Sequence, residues 1–100
     1  VKNDNALLML GMAAKAGKVA SGEFMAENAV KSGEAALVIV AEDASDNTKK
    51  KFSNMCEYYK IPLKIHGMKD ELGKFTGKEF RASLAVTDKG LAQAVMKKMD

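Results

Sequence analysis

Apolar residues recur at helical spacing over Asn5–Lys15, where Leu7, Leu8, Leu10, Met12 and Ala13 form one stripe and Asp4 is placed to cap the helix. Gly17 stops that helix, and Lys18–Ser21 follows as a short candidate strand. Ser21 stands where a cap belongs for a second helix, from about Gly22 to Lys31, which Gly33 ends as a left-handed terminator. Next comes Ala36–Ala41, an unbroken run rich in Val and Ile, the pattern of a strand buried on both faces. Glu42–Asp46 breaks the run and supplies a cap for a third helix, Asn47–Lys60, with an apolar line of Phe52, Met55, Cys56 and Tyr59. Pro62–His66 reads as another strand and Lys69–Lys74 as a short helical turn near Gly73 and Gly77. Arg81–Thr87 reads as a fourth strand, and Asp88 caps a closing helix to about Lys98.

Helices alternating with short apolar strands predict a central sheet covered on both faces. The expected fold class is α/β, a three-layer α/β/α sandwich with about four strands, at least partly parallel. One hundred residues suit a single domain spanning 1–100, and an apolar fraction of 47% supplies a core. The longest strongly apolar stretch, Ala35–Ala41, is strand-sized, far short of the ~18 residues of a membrane helix, so no membrane role is expected. The opening segment reads as an amphipathic helix rather than an export signal. A lone cysteine, Cys56, excludes an internal disulfide and a cysteine-based zinc site, and the expected location is the cytoplasm.

Charge adds a direction. Residues 1–50 carry 6 Lys/Arg against 7 Asp/Glu, whereas residues 51–100 carry 10 against 6. A basic excess confined to one half suits a polyanionic partner, although proteins without one also show it.

Candidate chemistry for an enzyme is thin. Cys56 lies on an apolar helix line, where a buried structural thiol is the simpler reading than a nucleophile. Glu42 and Asp43, ending the buried strand, occupy a usual address for catalytic or magnesium-binding acids, yet helix capping explains them as well. His66 ends a strand beside Gly67 with no acid placed near it by spacing. A hydrolase using Glu42, Asp43 and His66 is the minor reading. No phosphate-binding loop, dinucleotide fingerprint or nucleophile elbow is present, and no cofactor or metal is expected.

Nucleic-acid chemistry has more to stand on. Lys15 and Lys18 flank Gly17, and Ser21-Gly22-Glu23 opens a helix with small residues that leave backbone amides accessible to a phosphate or base edge. An ordinary capped helix start reads the same. The loop Gly77-Lys78-Glu79-Phe80-Arg81 mixes cations with an aromatic, as where an unstacked base is met. Strand alternation instead puts Phe80 on the side of Ala82, Leu84 and Val86, which favours the core. Lys49-Lys50-Lys51 reads as a solvated helix face.

The segments AALVIVAEDAS, TKKKFSNMCEYYKIPLKI and LGKFTGKEFRASLAV, spread over about Leu7 to Met96, resemble the kink-turn-binding ribosomal protein family, the L7Ae and L30e group, in particular its bacterial YlxQ-type branch. The resemblance implies a four-stranded mixed sheet, binding to kinked or internally looped RNA, an association with the ribosome or translation, and no catalysis. It places the main RNA contact at the start of the second helix, as Gly, then Asn-Glu, then Lys. This chain keeps Gly22 but has Phe24 and Met25 in place of the Asn-Glu pair and Asn28 in place of the Lys. Phe24 and Met25 cannot hydrogen-bond a guanine edge with their side chains, so altered kink-turn specificity is expected. Glu23 substitutes only with a shift of helix register.

A second contact surface implied by the family falls on Glu42, Lys69 and the Lys78–Arg81 loop. The expected RNA-binding set is therefore Lys18, Ser21, Gly22, Glu23, Phe24, Met25, Asn28, Glu42, Lys69, Lys78, Glu79, Phe80 and Arg81. Expected partners are structured RNA, ribosomal in particular, with ribosomal or translation-factor proteins besides, and the chain is expected to be a monomer. Phe24, Met25 and Phe80 together make an apolar patch that stacks on bases or docks a protein, so a protein-interaction module in the translation machinery is the alternative.

Overall fold

A computed structural model describes residues 4–99. The elements run α1 (Asn5–Lys15), β1 (Val19–Ser21), α2 (Glu23–Ser32), β2 (Leu37–Val40), α3 (Asp46–Tyr59), β3 (Leu63–Ile65), α4 (Lys69–Phe75), β4 (Ser83–Val86) and α5 (Lys89–Met99). The four strands form one sheet in the order β1-β4-β2-β3, in which only β2 and β3 are parallel. The sheet is thus mixed, and the five helices flank it.

The caps explain several boundaries. Asp4 accepts the Leu7 amide at 3.0 Å, Ser45 accepts the Thr48 amide at 3.1 Å, and Asp88 accepts the Leu91 amide at 2.8 Å. Each satisfies a donor that the first turn of a helix leaves without a partner. Gly33 ends α2 in the left-handed conformation at φ 84°. Ser21 does not cap α2. Gly22 holds that position at φ 95° and ψ 162°, with no side-chain cap, because the chain must turn sharply from β1 into the helix.

The two central strands, β2 and β4, are buried along their whole length. Against them pack α2, with β1, β4 and α3, and α3, with β2 and β3, while α1 packs with α5 and α4, and α5 on β4. The stripe expected on α1 divides: Leu7, Leu10 and Ala13 are buried, whereas Leu8 and Met12 are exposed. Leu8 and Met12 lie four residues apart and share a second face of the helix. On α3, Phe52 and Cys56 are buried and Tyr59 is exposed. The last strand is shorter than its composition suggests, beginning at Ser83 rather than Arg81. No helix of the described residues is long and apolar enough to cross a membrane.

Candidate nucleic-acid interface

The sheet topology brings the two candidate segments together. β1 runs antiparallel to β4, with Ser21 opposite Leu84, so the chain leaving β1 lies beside the chain entering β4. The Gly22 amide extends the ladder by donating to the Ser83 carbonyl at 3.0 Å. One side of the resulting groove is Ser21–Met25 and the other is Phe80–Ala82, around a volume of about 340 Å³. Arg81 ties the sides: its Nε donates to the Ser21 hydroxyl at 2.9 Å and its Nη1 to the Phe80 carbonyl at 2.7 Å. Ser21, expected to cap a helix, therefore accepts from a guanidinium instead.

Phe24, Met25 and Phe80 stand out on this groove with exposures of 73%, 53% and 65%. The parity argument that turned Phe80 inward fails because β4 starts three residues later. Phe80 belongs to a loop folded back onto α4. There the Lys78 amide donates to the Gly73 carbonyl at 2.7 Å and the Arg81 amide to the Lys69 carbonyl at 3.0 Å. A β-carbon on Gly73 would collide with the Glu79 carbonyl, so the loop can lie this close only over glycine. Gly73 has this packing as its cause, whereas Gly77 is required by its left-handed backbone at φ 77°.

Further out, the Asp43 carboxylate accepts the Lys69 amide at 2.8 Å, and the Glu42 amide donates to the Gly67 carbonyl at 2.7 Å. These bonds link the end of β2 to the base of the Phe80 loop. Glu42, Lys69, Lys78 and Glu79 do not line the groove, and Lys18 and Asn28, both exposed, also lie outside the lining.

Two residues were missed by the sequence reading. Ala82 lines the groove. Lys51, part of the run read as a solvated face, reaches from α3 to Glu23 at 2.9 Å and Glu27 at 2.7 Å on α2, and Lys31 reaches Glu27 at 2.8 Å. The hydrogen bonds from Lys31 and Lys51 hold the Glu27 carboxyl down to about 2, and those that Lys51 donates to Glu27 and Glu23 raise its own ammonium. Glu23 is thereby committed to α3. A pairing between segments so distant in sequence leaves no local signal in the chain.

The groups named for catalysis do not converge. His66 Nε2 lies 2.8 Å from Asp4 Oδ2, the carboxylate that also caps α1, and Asp43 is engaged with the Lys69 amide. Burial pushes the Asp4 carboxyl up, but the Leu7 amide and the hydrogen bond and charge of His66 outweigh it and leave it lowered. Burial pushes the Cys56 thiol up to about 11, opposite to what a nucleophile needs.

A profile of the ribosomal protein L7Ae/L30e/S12e/Gadd45 family matches residues 4–96. The chain belongs to this family. It is 42% identical over 92 residues, 92% of each chain, to the RNA-binding protein YlxQ of Bacillus subtilis (strain 168). To the RNA-binding protein YlxQ of Enterococcus faecium it is 34% identical, over 88% of this chain and 84% of that one. Among solved structures, a protein of unknown function from Bacillus halodurans C superposes at a TM-score of 0.93 with 36% identity, covering 98% of this chain and 99% of that chain. The Giardia lamblia 15.5kD RNA binding protein shares the fold, at a TM-score of 0.79 and 23% identity over 97% of this chain and 87% of that chain.

Proposed function

We propose that this chain is a non-catalytic, cytoplasmic RNA-binding protein that recognises kinked or internally looped RNA, ribosomal RNA in particular, with altered kink-turn specificity. The observation that carries the reading is the groove that joins the start of α2 to the loop before β4. It presents exposed aromatic and thioether side chains beside a guanidinium and an uncapped helix start, a combination that stacks on unpaired bases while meeting phosphate. Names given to two relatives, both RNA-binding proteins, agree with it. Kink-turn recognition in the family form needs hydrogen-bonding side chains where Phe24 and Met25 stand, so base stacking replaces edge reading here.

The test is a titration of ribosomal RNA fragments at several salt concentrations. With Lys18, Lys69, Lys78 and Arg81 facing RNA, about four neutralised phosphates give a slope of log affinity against log salt near −3 to −4. A slope of zero overturns the reading. It would favour the second one, a protein-docking module of the translation machinery, which the exposure of Phe24, Met25 and Phe80 also supports.

A further inference from the structure

A second groove lies between α1 and α4 and shares no lining residue with the first. Its floor is Leu8, Met12 and Phe75, with Gly11 between the helices, and its volume is about 540 Å³. Leu8 and Met12 are 51% and 61% exposed. Gly11 sets the depth, because a β-carbon there would come within 2.9 Å of the Phe75 carbonyl oxygen. Past Ala14 the groove continues into a hollow of about 260 Å³ that reaches Gly77.

Lys15 and Lys74 stand on the rim of both compartments. Both are exposed, and neither enters an ion pair among the described residues. The described residues thus leave both ammonium groups available to carboxylates of a partner. Leu8, Met12 and Lys15 follow one another at spacings of four and three along α1, a stripe of ~10 Å covering two turns. Apolar anchors at that spacing are what a helix laid in a groove presents in return.

We propose that this groove docks an acidic amphipathic helix of a partner protein, with apolar side chains over Leu8, Met12 and Phe75 and carboxylates at Lys15 and Lys74. A second copy of the chain fits poorly, because a two-fold contact would set this pair of cations against itself. RNA fits poorly too, since Phe75, the aromatic of this floor, is half-buried against the core and offers no free ring for stacking, unlike the exposed Phe24 and Phe80 of the first groove.

The experiment replaces Met12 with a photo-crosslinking amino acid in the native cell and identifies the attached peptide by mass spectrometry. The expected adduct is a protein segment carrying Asp or Glu beside apolar residues at helical spacing. Lys15→Glu together with Lys74→Glu should lower the adduct yield by roughly tenfold or more, while Lys15→Arg with Lys74→Arg preserves it. Both pairs are exposed, and unchanged unfolding curves verify that the variants fold. An adduct with RNA, with a second copy or with a segment lacking carboxylates overturns the proposal. So does the absence of an adduct, or a yield indifferent to charge reversal.

Discussion

The carbonyl of Glu79 rests against the α-carbon of Gly73, so the loop carrying Phe80 and Arg81 is seated on α4 by the absence of a side chain. Three further bonds hold the seat: Lys78 and Thr76 amides to the Gly73 carbonyl, and the Arg81 amide to Lys69. The groove wall is thus a rigid extension of α4 rather than a free loop.

Gly73→Ala should therefore act on stability and binding together. The added carbon meets backbone, which cannot rotate away, so the cost lies at the upper end of the roughly 1–3 kcal/mol typical of overpacking. RNA binding should weaken even under conditions where the variant remains folded, because the Phe80 loop must lift. Urea unfolding and an RNA titration on the same sample check both effects. Full binding by the folded variant would contradict the seating.

Phe80→Ala separates the stacking role from a structural one. The ring is exposed, so the melting temperature should shift by no more than a degree or two, while RNA binding weakens by ~1–3 kcal/mol, the usual loss for one base–aromatic contact. A thermal melt and a binding titration decide it. A large fall in melting temperature would mean that the ring supports the fold.

Selectivity should respond to the start of α2. Phe24→Asn, Met25→Glu and Asn28→Lys together restore edge-reading and a cation, and should sharpen discrimination of a standard kink-turn from a plain duplex by ~1–3 kcal/mol. Paired titrations of the two RNAs measure it. A native protein that already discriminates as well as the triple variant would refute the assignment of altered specificity.

Acid should loosen α2 from α3. Glu27 ionises at about 2 in the fold against an ordinary 4.5, so its pairs with Lys31 and Lys51 contribute fully above pH 4.5 and fade as pH falls toward 2. Between pH 6 and pH 3, the native protein should lose more of its urea midpoint than Glu27→Gln does. Equal losses would show that the pairs add nothing, as many exposed ion pairs do.

How far these features could be read from the chain depends on their range. The helix over Asn5–Lys15, its Asp4 cap and the Gly33 terminator were legible because each is decided within one turn of backbone. The Ser21 cap was misread because Arg81, distant in sequence, competes for its hydroxyl. For Phe80 the loop composition pointed to an exposed ring and strand alternation to a buried one; the alternation misled because it ran through residues that Gly73 holds in a loop. Asp4 and His66, and Lys51 with Glu23, meet only through the tertiary fold. Leu8 and Met12 matched the helical stripe yet lie off the core, since spacing marks an apolar face without naming what covers it.

The pairing of β1 with β4, Val19 opposite Val86, also orders events during synthesis. A nascent chain that has emerged only through α4 carries Ser21–Met25 but lacks the strand beside which they must lie. Its β1 edge is unpaired, Arg81 has not arrived to hold Ser21, and the groove has one wall. Joining segments so far apart in sequence is slow relative to forming a helix. The recognition proposed for this groove therefore belongs to the finished protein: on that reading, an RNA close to the site of synthesis meets a competent partner only after β4 has been released and has closed the sheet.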